Sequence, residues 1–434
     1  MGHTGHGLYN RRRASYVGYT RPSRGGVATR YDYDVAVVGA GPAGSRSARN
    51  LAKAGLRVVL LEEHRLIGVP SHCSGLISPR TLEEAGVGEQ IVANRVTGAY
   101  IHTAGGGALA LGGGEPRALV VDRVRLDELL CEQAQTDGAE LLRARMVQAE
   151  RENGGVRLHC QRDGRALQLS ARLVLGADGA HSRVARTLGL AAPRERVYGL
   201  GIEGRLTVPR EDFVHVFVGH RLAPSWFGWI IPTGGDGVRV GIGCDASDKP
   251  IYCYRRLTDT FPRLFRGMEV CRMYGGTIPL GFAPRSYADN VLLVGDAAGQ
   301  VKPFSGGGIY TGLVAGRHAA AAAAAALAAD DTTAAGLRGY ERAWKSEIGR
   351  ELTRSSRIRR FGLGLSDSDV DRLVAALGHE ALQPLIDSHG DIDYPSRVIL
   401  RLTRSLPALW PLMRLSLRRP LASLQMLRAL LPGG

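Results

Sequence analysis

A short apolar run, Val35 to Val38, opens directly into Gly39-Ala40-Gly41-Pro42-Ala43-Gly44. Ser45 to Ala54 then reads as a helix, and Leu56 to Leu61 as a second strand ending on Glu62-Glu63. Strand, glycine turn, helix and strand in this order make a βαβ unit, which commits the chain to an α/β fold. Each glycine has a reason: Gly39 permits the tight turn, Gly41 lets backbone amides approach a pyrophosphate, and Gly44 lets helix and strand pack closely. The helix N-terminus adds its partial positive charge. Glu62 is placed to accept hydrogen bonds from a ribose, with Ala43 and Glu63 beside it in the expected dinucleotide site.

Two later segments identify the dinucleotide. Arg172 to Leu175 is a β-run that opens into Gly176-Ala177-Asp178-Gly179. Val291 to Val294 runs into Gly295-Asp296-Ala297-Ala298-Gly299, followed by Pro303-Phe304-Ser305-Gly306-Gly307-Gly308 and a long helix from about Ile309. A strand followed by Gly-Asp lets a carboxylate reach a polyol chain. A glycine cluster opening a helix lets N-terminal amides face the N1–C2=O edge of a flavin, where their dipole favours the anionic reduced form. The three motifs together resemble the FAD-binding domain of the aromatic hydroxylase-like flavoproteins. The resemblance implies non-covalent FAD and matches Arg123 to the arginine that contacts it. It also adds Val147, Asp178, Gly179, Gly295, Asp296, Gly306, Gly307, Gly308 and Ile309 to the cofactor contacts. Gly105-Gly106-Gly107 and Gly112-Gly113-Gly114 lack βαβ context and read as hairpin turns.

Alternating stretches at roughly Val96 to Leu119 and Val197 to Ile278 read as an inserted antiparallel sheet. The expected organisation is a tail over 1–30, a Rossmann-type FAD-binding domain over 31–95, 117–190 and 287–353, a substrate-binding sheet over 96–116 and 191–286, and a helical region over 354–434.

Two segments narrow the resemblance. Ile67-Gly68-Val69-Pro70-Ser71-His72-Cys73-Ser74-Gly75-Leu76-Ile77-Ser78 carries a Gly-x-Pro-x-x-Cys-x-Gly loop, and Phe227-Gly228-Trp229-Ile230-Ile231-Pro232 precedes Gly241-Ile242-Gly243. Over most of Tyr33 to about Leu352 the chain is similar to the geranylgeranyl reductase family, with Ile231 where Phe is usual. The aromatic segment also resembles the Trp-x-Trp-x-Ile-Pro motif of flavin-dependent halogenases. Those enzymes need a lysine after the first βαβ unit, and His64 to Arg80 contains none. Membership implies an FAD-dependent reductase that saturates C=C bonds of a geranylgeranyl or other polyprenyl chain, carried on a diphosphate, phospholipid, menaquinone or chlorophyll-type tail. Electrons would come from NADPH or ferredoxin. Trp226, Phe227, Trp229, Pro232 and Phe304 are the expected substrate contacts, and Cys73 the residue at the reacting face, near the flavin. The alternatives are an FAD-dependent aromatic or polyketide monooxygenase and, from another class, an electron-transfer flavoprotein. The second normally carries a cysteine cluster for an iron–sulfur centre.

The six cysteines are scattered without CxxC spacing, which gives no support to a zinc or iron–sulfur site and leaves no metal expected. The net charge of +15 suits anionic ligands or surfaces. No nucleic-acid-binding motif accompanies it, so nucleic acid is not an expected partner. No uncharged apolar run reaches transmembrane length, and no signal h-region follows Arg11-Arg12-Arg13. The basic, leucine-rich stretch from Tyr394 to Leu431, with Arg397, Arg401, Arg404, Arg414, Arg418, Arg419 and Arg428, has the character of a helix that lies on anionic membrane. A cytoplasmic protein, peripheral on the inner face of the plasma membrane, is the expectation.

Overall fold

The computed structural model describes residues 31–402. The expected N-terminal tail, and Arg404, Arg414, Arg418, Arg419 and Arg428 of the basic stretch, lie outside the described residues.

The first strand, β1 (Tyr33–Val38), leads through Gly39 to Gly41 into α1 (Pro42–Lys53), and β2 (Val58–Glu62) follows. The helix begins earlier than its apolar pattern indicates, because Pro42 occupies the first turn, where a missing N–H costs nothing. Further on come α2 (Arg123–Thr136), β3 (Glu140–Arg143), β4 (Arg165–Gly176), β5 (Val291–Leu293) and α3 (Ile309–Ala328). The parallel order is β5-β4-β1-β2-β3, with register Val35↔Leu173 and Val35↔Val58. Val35 and Val37 pack on one side with Leu51, Leu60 and Val314. Ala36 and Val38 pack on the other with Val59, Leu61 and Val174. A strand covered on both faces needs an unbroken apolar run, and β1 supplies one.

The first half of β4 leaves the parallel core to pair antiparallel with Gly155–Arg162, which pairs in turn with Arg145–Glu152. A second, seven-stranded sheet is built from Gly98–Thr103, Ala108–Gly112, Glu195–Arg205, Phe213–Val218, Phe227–Gly234, Gly237–Cys244 and Glu269–Leu280. Two details differ from the sequence reading. The pairing of Phe213–Val218 with Gly98–Thr103 is parallel, so the sheet is not wholly antiparallel. Gly105 to Gly107 do fall in a hairpin loop, but Gly112 to Gly114 lead out of it, towards Ala118–Val121 in a separate three-stranded sheet.

After α3 the described chain is helical, through Ala334–Trp344, Arg350–Leu363, Asp367–Leu377, Gln383–His389 and Pro395–Leu402. No helix among the described residues is long and apolar enough to cross a membrane.

Candidate active site

Parallel strands deliver their carboxyl ends to one edge of the sheet, where open α/β folds bind ligands. Gly39 follows β1, Glu62 ends β2, Ala177 follows β4 and Gly295 follows β5. Gly39 adopts φ +102°, and a methyl there would stand 2.4 Å from Ala177 O. One at Gly44 would stand 1.9 Å from Gly39 O, so strand, turn and helix close on each other only with glycine at both places. A methyl at Gly41 would meet nothing within 4 Å, and the same holds at Gly179. The space above the α1 N-terminus is therefore open while the backbone beneath it is tightly packed.

The α1 and α3 N-terminal turns lie against each other through small residues. A methyl at Gly312 would sit 3.3 Å from Ala43 Cβ, and one at Gly316 2.7 Å from Ala43 O. Ser47 Oγ donates to Ala43 O at 2.7 Å and to Gly316 O at 3.3 Å. Ala43 thus serves the helix crossing, and two helix N-termini, each with its partial positive charge, are brought close together.

The acids divide. Glu62 Oε2 accepts from the Ala40 amide at 3.0 Å and Oε1 from the His64 amide at 2.8 Å, which holds the carboxylate beside the glycine turn. Glu63 faces away, to Arg145 at 3.3 Å and Arg183 at 3.4 Å. Asp178 is hydrogen-bonded within its own turn. It accepts from Ser182 Oγ at 2.6 Å, the Arg183 amide at 2.7 Å and the Val184 amide at 3.0 Å, and so binds the first amides of the helix Arg183–Thr187, whose N-cap is Ser182. Its effect is to shape the turn that leaves Gly179 open. Val147 is 43% exposed on the rim.

The Asp296 carboxylate has no hydrogen-bond partner among the described residues. A methyl at Gly308 would lie 2.9 Å from its Oδ1, which places the carboxylate at the start of α3. Burial pushes its pKa up to about 6, against the pull of the Arg123 charge. Arg123, first residue of α2, donates from Nη2 to Asp127 at 2.7 and 2.9 Å, while its buried Nε has no partner among the described residues. Burial works against the guanidinium charge, but Asp127 and the nearby Cys73 outweigh it and hold the pKa above the ordinary arginine value. An orphaned buried donor, an unpartnered carboxylate, two helix N-termini and open space over Gly41 are what a dinucleotide with a polyol chain requires. The residues present fit FAD.

Cys73 is half-buried in the segment after β2, and its Sγ accepts from the Gly75 amide at 3.4 Å. Gly75, at φ +71°, leaves room for a side chain the sequence reading did not single out. Arg239 Nη1 lies 2.3 Å from where a Gly75 methyl would be, and donates to Ser74 O at 2.8 Å and Val121 O at 3.0 Å. Tyr274 also joins this group. Burial pushes its pKa up to about 12, with Cys73 contributing, so it stays protonated. The only trace of Arg239 in the sequence is a charge between Val238 and Val240, in a strand otherwise apolar.

Trp226 stacks on Phe227 with centroids 5.0 Å apart, and Phe227 lies 5.6 Å from Trp229. Trp226 is 9% exposed, and its buried Nε1 has no partner among the described residues. Val197, Leu280 and Val301 complete this aromatic wall. Strand alternation puts Phe227 and Trp229 on one face and Pro232 on the other, with Ile230, so Pro232 does not stand with the aromatic residues. Phe304 is 46% exposed in the loop before Gly306.

Residues 32–248 match the FAD binding domain family. The chain is 31% identical over 403 residues to digeranylgeranylglycerophospholipid reductase of Methanothrix thermoacetophila, covering 88% of this chain and 99% of that protein. The structure superposes with a TM-score of 0.78 on a geranylgeranyl bacteriochlorophyll reductase-like protein of Thermoplasma acidophilum, at 25% identity over 92% of this chain and 99% of the other. The flavin-dependent brominase Bmp2, at 15% identity and TM-score 0.68, covering 89% of this chain and 99% of its own, shares the fold alone. The chain belongs to the geranylgeranyl reductase family of FAD-dependent oxidoreductases.

Proposed function

We propose that this protein saturates C=C bonds of a polyprenyl chain carried on a lipid, with the sheet of β1 to β5 binding FAD and the seven-stranded sheet binding substrate. The observation that carries this reading is the placement of the aromatic wall. A methyl at Gly306 would lie 3.0 Å from both Trp226 and Ile278, so the wall stands directly against the glycine loop that opens α3. The named activities of the relatives support the same reading.

Bound FAD, when reduced, supplies the hydride. The chain's residues do the rest. Arg123 and the two helix N-termini would hold the negative charge of the cofactor, and Glu62 and Asp296 would accept from its hydroxyls. An isolated alkene has no carbonyl to polarise, so a proton must reach one carbon as the other becomes electron-poor. The aromatic faces of Phe227 and Trp229 stabilise that positive charge. Cys73 lies at the reacting face. Apolar surroundings exclude water and favour an isoprenoid tail.

The test is anaerobic. Protein reduced with dithionite is mixed with geranylgeranyl diphosphate, a geranylgeranylated phospholipid or menaquinone, and flavin reoxidation is followed with mass analysis. A gain of two hydrogens per double bond is expected. Flavin that ignores every isoprenoid, yet reoxidises with oxygen and an aromatic compound to give a hydroxylated product, would establish the monooxygenase alternative instead. Cys73→Ala should keep FAD and lose single-turnover reoxidation by lipid; wild-type rates in that variant would remove Cys73 from the chemistry. Reduction by NADPH or by ferredoxin, compared in stopped flow, identifies the donor. Arg397 and Arg401 are exposed on Pro395–Leu402 and support peripheral contact with anionic membrane. Salt-sensitive pelleting with anionic but not neutral vesicles would demonstrate it.

A further inference from the structure

Glycines recur on the face of the seven-stranded sheet that looks toward Cys73. Gly199 is paired with Gly243 on one side and Gly276 on the other, and Gly201 with Gly241 and Tyr274. Side chains alternate along a strand, so Gly199 and Gly201 share a face, as do Gly241 and Gly243, and Tyr274 and Gly276. Most of these positions are covered by a ring. A methyl at Gly201 would stand 2.3 Å from the Tyr274 ring, one at Gly241 2.1 Å from Trp229, and one at Gly243 2.4 Å from Trp226. Gly199 and Gly276 are left bare. The nearest atoms to a methyl there are Gly276 O and His72 O respectively, each at 3.8 Å.

The result is a slot across two adjacent strands. Tyr274 stands on one side of it. On the other are Val197 and Ile278, paired with each other, and Trp226, which meets Ile278 beside Gly306. His72, next in sequence to Cys73, borders the slot, with its carbonyl oxygen 3.8 Å and its Cβ 3.9 Å from where a Gly276 methyl would be. The slot therefore runs between the Cys73 segment and the glycine loop. A Cβ at either glycine would meet nothing closer than 3.8 Å, ordinary van der Waals contact, so the strand surface between the flanking rings carries no side chain and leaves room for an apolar chain. Neighbouring strands stand about 4.8 Å apart, which makes a floor of two glycines close to the width of one extended hydrocarbon chain.

We propose that Gly199 and Gly276 form the floor of the berth for a single isoprenoid chain, setting its depth and presenting an alkene between Cys73 and the Gly306 loop. This inference rests on the polyprenyl reading above. Gly199 has no left-handed φ, and its outward direction is open, so a larger residue there fills the slot without disturbing the sheet.

The test compares wild type, Gly199→Leu and Gly199→Ala as purified holoproteins, with a geranylgeranylated phospholipid in detergent as probe. FAD content and the dithionite-reduced spectrum should match wild type in all three. The change in oxidised flavin absorbance on adding lipid reports binding directly, without turnover. Gly199→Leu should weaken that binding at least about tenfold, which is about 1.4 kcal/mol. Reoxidation of its reduced flavin by lipid should fall with it, and Gly199→Ala should lie between the two. Wild-type binding and reoxidation in Gly199→Leu would overturn the slot while leaving the polyprenyl reading intact. If no prenyl lipid binds to or reoxidises wild type, both fall together. Should Gly199→Leu lose FAD, Gly199→Ala decides the matter, because its methyl adds contacts only at 3.8 Å; unchanged lipid affinity there would overturn the slot.

Discussion

Lys302 Nζ lies 2.8 Å from Asp393 Oδ1, and the two side chains are 8% and 1% exposed. The same ammonium donates to Ile392 O at 3.0 Å, and the other oxygen of Asp393 accepts from Ser78 Oγ. Ser78 caps the helix Pro79–Ala85, five residues after Cys73, and the Lys302 carbonyl accepts from the Gly306 amide at 2.9 Å. One buried carboxylate from the C-terminal region therefore pins both loops that border the cleft. Removing one partner of such a pair costs about 3–5 kcal/mol, because the other charge is left buried. Asp393→Ala should be destabilised by that amount in urea denaturation and should release FAD faster. Lys302→Met combined with Asp393→Leu should be less destabilised than Asp393→Ala alone; equal stability of all these variants would show the pair to be solvent-relaxed.

Gly41 and Gly44 should respond differently to the same change. A Cβ at Gly41 meets nothing within 4 Å, so Gly41→Ala should leave the apo-protein melting temperature unchanged and Gly41→Val should lower FAD affinity by about a hundredfold, roughly 2.7 kcal/mol. Gly44→Val drives its Cβ into Gly39 O and should lose both fold stability and cofactor. Fluorescence titration with FAD beside thermal melts of the stripped protein separates the two.

Arg123 serves stability and binding through different nitrogens. Arg123→Ala leaves Asp127 buried without its partner and should cost several kcal/mol of stability. Adding Asp127→Leu should recover stability but not FAD affinity, since the orphaned Nε is still missing. Recovery of wild-type FAD binding in the double variant would mean that Arg123 acts only through its ion pair.

Asp296 predicts a pH dependence with a definite sign. Its folded pKa, about 6, lies above the ordinary value of 3.8. The folded apo-protein therefore holds the proton more tightly than the unfolded chain. Its contribution to stability is fully present below about pH 3.8 and is lost as pH rises through about 6. Asp296→Asn should accordingly stabilise the apo-protein relative to wild type at pH 7 to 8, by up to about 3 kcal/mol, with the difference vanishing near pH 4. Paired melts across that range give the result directly. The same variant should bind FAD less tightly at neutral pH.

The sequence by itself determined the βαβ unit, its glycine turn, the later Gly-Asp and glycine-cluster motifs, and through them the cofactor and the family. These features were legible because each is a local demand on neighbouring residues: a tight turn, a close approach, a helix beginning after glycine. The sorting of the acids was not legible. Glu62 and Glu63 adjoin in sequence, yet one braces the turn and the other meets arginines on the rim. Asp178 sits in a cofactor-like motif but spends its oxygens on Ser182, Arg183 and Val184. Pro232 follows the aromatic motif, but the alternation of its strand turns it to the other face.

Only the tertiary structure decided which distant residues complete the cleft. Arg239 reaches Ser74 from 165 residues away, and Lys302 and Asp393 meet across 91. The bare glycines Gly199 and Gly276 become a slot only because strand register sets them side by side and rings from other positions cover their neighbours. Burial, partner choice and register depend on how sheets and segments pack against one another, and that information is spread over the whole chain rather than held in any motif.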